Sequence, residues 1–177
     1  YEVFSDDVVV LSQSEPDGIS AFASYPMIKL WRDSITTIAH PQFSDCSFRI
    51  RHDLDKYGFF FHDTFVTQVR PVSTLIILKQ REQPECSMRR LHETDAFVEM
   101  YRQLYRPSLI RGKEQNATCF KTISTLVKTV KIIEITRPVT CPPEQLVSFI
   151  EQELLQQGIK HTNQTHADIL PPNNNYA

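Results

Sequence analysis

Val3-Phe4-Ser5-Asp6-Asp7-Val8-Val9-Val10-Leu11 sets two adjacent carboxylates between two short apolar runs. Val3-Phe4 reads as the end of one strand and Val8–Leu11 as another. Carboxylates beside an apolar strand are costly to desolvate unless a cation or a hydrogen-bond donor stands near them. Open α/β proteins gather their ligands at the carboxyl ends of strands. The pair therefore points to a magnesium or phosphate-transfer site, with one carboxylate positioning a cation and the other accepting a proton. An acidic turn joining the strands of a hairpin carries the same residues, so the pair alone fits either reading.

Outward from that stretch, Ser14-Glu15-Pro16-Asp17-Gly18 has strong turn chemistry, and Ile19–Ser24 reads as the return strand of a hairpin. Asp33-Ser34 caps a helix expected to run to about His40, where Pro41 stops it. Phe48-Arg49-Ile50-Arg51 alternates as a half-buried strand does. Tyr57–Phe61 and Phe65–Val69 read as extended, and Ser73–Lys79 is the strongest strand in the chain. Gln80–Arg90, polar and broken by Pro84, reads as a loop. Helices are expected over Glu93–Tyr105, with Thr94 as its cap, over Thr118–Thr129, and from Glu144 to about Gln157. A strand is expected at Val130–Ile135. Strands come first, then helices with strands between them, which predicts an α/β fold with a mixed sheet. Residues 160–177 are polar and asparagine-rich and read as a disordered tail after one domain at 1–159.

The 177 residues carry a formal net charge of −2 and are 41% hydrophobic. That is enough chain for a sizeable core. No basic stripe with interleaved aromatics argues for nucleic acid. Leu75-Ile76-Ile77-Leu78, the longest aliphatic run, is too short to span a bilayer. Cys46, Cys86, Cys119 and Cys141 form no C-x-x-C pair, so zinc-ribbon and redox motifs are not expected. No charged-then-apolar leader opens the chain. Reduced thiols in a cytoplasmic protein are the expectation.

Three segments in order carry a family resemblance: Ser5-Asp6-Asp7-Val8-Val9-Val10-Leu11, then Tyr25-Pro26-Met27-Ile28-Lys29-Leu30-Trp31-Arg32-Asp33-Ser34, then Tyr105-Arg106-Pro107-Ser108-Leu109. Arg49-Ile50-Arg51 with Lys56, and Thr136-Arg137-Pro138 near the end, fit the same series. Across residues 1 to 157 the chain resembles the C-terminal two-thirds of serine kinases related to HPr kinase/phosphorylase, above all those found beside bacterial peptide- and polysaccharide-maturation genes. The resemblance implies a phosphoenolpyruvate-carboxykinase-like fold, ATP and Mg²⁺ as ligands, and transfer of the γ-phosphate to a serine of a protein or peptide. The family's founding enzymes are oligomeric, a trait that does not follow for this branch, so a homo-oligomer stays open. Such kinases carry a P-loop upstream of the aspartates. No G-x-x-x-x-G-K-[ST] stands here, and Gly18, Gly58, Gly112 and Gly158 are isolated from one another. The expectation is a catalytic portion lacking that loop, inactive alone. The alternative is a kinase-like module that binds a peptide or partner without transfer.

The resemblance assigns metal and catalytic-base roles to Asp6 and Asp7, without saying which takes which. Lys56 joins them as a catalytic cation. Lys29, Arg49, Arg51 and Arg106 are the candidate phosphate or substrate ligands. Arg49 and Arg51, two apart on a strand, are expected to share one face. Lys56 is followed by Tyr57 where the family continues with a second basic residue. Solvated lysines, a half-exposed strand face and a helix-end arginine are the plainer readings of these cations.

Overall fold

The hairpin expected at the start of the chain forms, but its strands reach further toward the turn than Val8–Leu11 and Ile19–Ser24, taking in Ser14 and Gly18. Strand β1 (Val9–Ser14) pairs antiparallel with β2 (Gly18–Ala23), Val9 opposite Ala23 and Ser14 opposite Gly18. The structure, a computed structural model, describes residues 3–14, 18–65 and 67–156. The turn chemistry assigned to Glu15-Pro16-Asp17 and the disorder assigned to 160–177 therefore lie outside the described residues. Val3-Phe4 has no strand hydrogen bonding.

Strand β3 (Met27–Trp31) pairs antiparallel with β4 (Lys56–Phe60), Met27 opposite Phe60 and Trp31 opposite Lys56. A two-residue strand, β5 (Arg70–Pro71), lies on the other side of β2 from β1. Strands β6 (Thr74–Arg81), β7 (Ser87–Arg90) and β8 (Lys131–Pro138) form a third sheet in the order β6-β8-β7. The helices are α1 (Arg32–Ile38), α2 (Glu93–Arg102), α3 (Lys113–Thr129) and α4 (Pro143–Gln156). The described residues are thus a mixed α/β arrangement with three sheets and four α-helices. None of these helices is long and apolar enough to cross a membrane.

Several expectations change. The Phe48–Arg51 strand reduces to one bridge, Arg49 to Tyr57, because the chain turns tightly at Arg51, where the Leu54 N–H bonds to its carbonyl at 3.1 Å. Phe65–Val69 forms no strand where it is described. The loop expected over Gln80–Arg90 is partly sheet. Helix α1 starts behind Trp31 without a side-chain cap, and α2 is preceded by His92 rather than capped by Thr94. Helix α2 stops at Arg102, short of the left-handed Arg106 (φ 48°) that leads into Pro107. Helix α3 starts five residues before Thr118, after Gly112, whose φ of 96° suits glycine.

Two compact units are distinguished by contacts, Tyr1–Ile77 with Arg89–Glu134, and Leu78–Met88 with Ile135–Ala177. The first has two apolar clusters. Ile77, Leu91, Ala96 and Ile132 are buried together, with Leu75, Met100 and Val127 packed against them. Ile19, Leu126 and Val130 form the other, bordered by Leu11 and Val72. The stripe of α3 thus covers the hairpin. Buried Glu134 meets the Arg89 guanidinium at 2.7 Å. In the second unit, the Gln83 amide donates to the Thr136 carbonyl at 2.9 Å and Arg137 donates to Gln80 Oε1 at 3.0 Å.

Gly58 is required by close approach. A Cβ there would stand 2.6 Å from Met27 Sδ and 2.8 Å from Phe48 Cδ1. Gly58→Ala is expected to destabilise the protein by about 1–3 kcal/mol, the usual cost of overpacking. A lowered urea midpoint measures it, and an unchanged midpoint contradicts the packing at β3–β4.

Candidate functional site

The aspartate pair sits on a three-residue turn. The Val8 N–H bonds to the Asp6 carbonyl at 2.6 Å, and Asp7 between them has a φ of 64°. Non-glycine residues enter that region rarely, with aspartate and asparagine among the most tolerant. Strained backbone of this kind persists when its surroundings over-determine it, and it clusters at functional sites. The surroundings here are specific. Ser5 Oγ donates to the Val8 carbonyl at 2.8 Å and accepts from the Ser24 amide at 3.1 Å, which clasps the turn to the end of β2.

Strand β3 supplies the partner. Lys29 and Gly58 lie opposite each other in an antiparallel pair. Their amides point away from one another, as in a pair that exchanges no hydrogen bonds. The Gly58 N–H goes to the Phe48 carbonyl at 2.9 Å. The Lys29 N–H goes to Asp6 Oδ2 at 2.8 Å, so that carboxylate takes the place of a neighbouring strand's carbonyl. The Lys29 side chain returns to the turn, with Nζ 2.8 Å from Asp7 Oδ2 and 5.5 Å from the centre of the Tyr25 ring. One lysine thus holds both aspartates, one by backbone and one by side chain. The Oδ1 atoms make no hydrogen bond or ion pair among the described residues.

The electrostatics follow. The hydrogen bond from Lys29 and then its charge hold the Asp7 carboxyl below the ordinary aspartate value. Burial opposes them, and the charge of Lys56 adds a smaller push. The bond to Asp7 raises the Lys29 ammonium above the ordinary lysine value, against desolvation. Asp7's contribution to stability is present above the ordinary aspartate pKa and lost as pH falls through its depressed folded value. Lys29's is present below the ordinary lysine pKa and lost as pH rises through its raised one. The pair holds between roughly pH 4 and pH 10. The Asp7 side chain is 55% exposed, so solvent screening limits the pair to at most about 1 kcal/mol. The stability gap between wild type and Lys29→Met is expected to stay level from pH 5 to pH 9 and to shrink below about pH 4. Urea titrations across that range test it, and a gap unchanged at low pH removes the ion pair from the account.

The other sequence candidates spread out. Lys56 Nζ lies 5.5 Å over the Trp31 ring, near enough for its charge to reach Asp7. Arg49 and Arg51 do not share a ligand. Arg49 donates from Nε to the Leu54 carbonyl at 2.7 Å and lies 3.5 Å from Asp55. Arg51 makes a two-pronged bond to Asp53 at 3.0 and 2.5 Å. Acidic residues in the same turn capture both arginines before a distant ligand can. Arg106 stacks over Tyr105, 5.0 Å from its centre. Sequence reasoning left out Tyr25, four residues before Lys29 in the same segment, and the Ser5–Ser24 clasp. It also left out Arg32, which donates to the Tyr57 hydroxyl while that hydroxyl donates to Asp55 at 2.8 Å.

Among the described residues no three His, Cys, Asp or Glu side chains gather as a metal cluster. A cleft of about 400 Å³ is lined by Arg90, His92, Glu93, Lys128 and neighbouring apolar residues, and none of the sequence candidates lines it. Comparison of the chain with protein-family models, with curated proteins and with solved structures finds no match.

Proposed function

We propose that Asp6, Asp7 and Lys29 are the cation-holding part of a phosphoryl-transfer site, in a chain that acts as the C-terminal portion of an ATP-dependent serine kinase with a phosphoenolpyruvate-carboxykinase-like fold. The observation that carries the reading is the strained turn at Asp7, which holds two carboxylates side by side with Lys29 fixed to both. The donor chemistry suits Mg²⁺. Hard carboxylate oxygens are its preferred protein ligands, and it is usually held by one or two carboxylates together with substrate phosphates and water. Asp6 and Asp7 would hold the ion through the oxygens that Lys29 does not use. When bound, Mg²⁺ neutralises charge building on the phosphate oxygens.

The chain's own residues divide the remaining work. Asp7, kept ionised by Lys29, is suited to holding a cation and poorly suited to taking a proton near neutral pH. Asp6 is then the group to orient the attacking serine hydroxyl of a protein or peptide. Lys29 and Lys56 supply positive charge beside the transferring group. Phosphoryl transfer depends mostly on positioning and charge, so weak general-base chemistry is no obstacle.

One observation favours a second reading. The Lys29 ammonium supplies Asp7 with a counter-charge, as it would in a kinase-like module that binds a partner but transfers nothing. The protein made from the complete reading frame separates the two. Given labelled ATP and a serine-bearing protein fraction, it is expected to transfer label only when Mg²⁺ is present. Transfer that survives a chelator, or Mg-ATP binding without transfer to any acceptor, would sink the kinase reading. The 177-residue chain alone is expected to give little heat with Mg-ATP in calorimetry.

A further inference from the structure

Cys86 Sγ and Cys141 Sγ stand 3.6 Å apart although 55 positions separate them in the chain. Both thiols are partly buried and unbridged. Each is carried on backbone that is held in place. Cys86 directly precedes β7, in a segment where the Gln83 amide donates to the Glu85 carbonyl at 2.5 Å and to the Thr136 carbonyl at 2.9 Å. Cys141 precedes α4, and its N–H bonds to the Pro138 carbonyl at 3.3 Å. A disulfide places its sulfurs about 2.0 Å apart. The sulfurs here must close by roughly 1.5 Å to reach that length.

We propose that Cys86 and Cys141 form a reversible dithiol–disulfide pair, oxidised by exchange with a low-molecular-weight disulfide, that fastens the segment ahead of β7 to the start of α4. One protein thiol gives its proton to solvent, and its thiolate attacks a sulfur of the reagent. The reagent's S–S bond breaks, the departing thiolate takes up a proton, and a mixed disulfide remains. The thiolate of the second cysteine attacks the protein sulfur of that mixed disulfide and expels the second reagent thiol. Two protein thiols are oxidised and one reagent disulfide is reduced to two thiols. Burial and the bond to Cys141 push the Cys86 thiol up, against the charge of Arg137. A raised thiol supplies less thiolate, so Cys86 is slow to make the first attack.

The four cysteines fall on four different tryptic peptides, which makes the test direct. The full chain is exposed to oxidised and reduced glutathione in graded ratios, trapped with an alkylating reagent and mapped by mass spectrometry. The expected product joins the peptide Glu82–Arg89 to the peptide Ile132–Lys160, with the loss of two hydrogen atoms. It appears before Cys46 or Cys119 reacts, reverts with dithiothreitol, raises the unfolding midpoint by several degrees, and loses its preference in urea. Cys86→Ser abolishes it. Separate glutathione adducts on the two cysteines, persistent alkylation of both under oxidising ratios, or a link between two copies of the chain each overturns the proposal. The wild-type map decides the matter even if the variant fails to fold.

Discussion

In the proposed kinase, Asp7→Asn is expected to lower magnesium-dependent transfer by at least about 100-fold, the usual cost of losing one preorganised charge-stabilising group, and to leave the unfolding midpoint within a few degrees of wild type. The two halves of this result rest on different properties of one residue. Asparagine enters the left-handed region about as readily as aspartate does, so the turn at φ 64° survives the exchange. The side-chain oxygen also survives as an acceptor for Lys29 Nζ. What disappears is the negative charge, and with it the proposed hold on a divalent cation. The ion pair is half in solvent, so its loss alone costs at most about 1 kcal/mol. Asp7→Ala is the control. It loses the acceptor as well and places a less tolerant residue at positive φ, so it is expected to lower both transfer and stability. A variant Asp7→Asn with wild-type transfer would leave the turn as a structural device only. Equal losses of stability and activity would point to misfolding instead.

The largest effect on stability is expected at Ile132. Its side chain is 2% exposed and packs with Ile77, Leu91 and Ala96 beneath α2 and α3. Ile132→Ala removes three carbons from a site bounded by β6 and both helices, where the strand cannot move inward to fill the space. The expected cost is about 2–5 kcal/mol, in the upper part of that range if the cavity stays open. With a denaturant slope of about 2 kcal/mol per molar in urea, the midpoint falls by roughly 1–2.5 M. Ile132→Val leaves most of the volume in place and should cost about 0.5–1.5 kcal/mol. Similar midpoints for the two variants would mean that the cluster around β8 is looser than its burial implies.

These two positions also mark what the sequence could and could not disclose. β-Branched runs favour extended backbone, so β6, β8 and the first hairpin form where their apolar patterns put them, but only β8 is buried along its length, and Val9, Val10, Ile76 and Leu78 stay exposed. Polar elements give no such signal. The first turn of α3, Lys113 to Asn116, faces outward and precedes the apolar stripe, and β7 is a short arginine-rich strand made by its pairing with β8. Asp6, Asp7 and Lys29 were each legible as chemistry-bearing. The bond from the Lys29 amide to Asp6 was not, because it depends on β3 lying against a turn twenty-three positions earlier. Alternation suggested a shared face for Arg49 and Arg51. The nearby Asp53 and Asp55 drew them apart, an effect of local charge that periodicity does not register. The Cys86–Cys141 pair left no trace in spacing at all.

The order β6-β8-β7 places last in the chain the strand that stands in the middle of its sheet. During synthesis β6 and β7 emerge with no partner between them and wait through α2 and α3 for residues 131–138. Closure over so long a separation is slow compared with the formation of the helices that come first. The nascent chain therefore carries two unsatisfied strand edges until late in its assembly, an interval in which a holding chaperone has the most to protect.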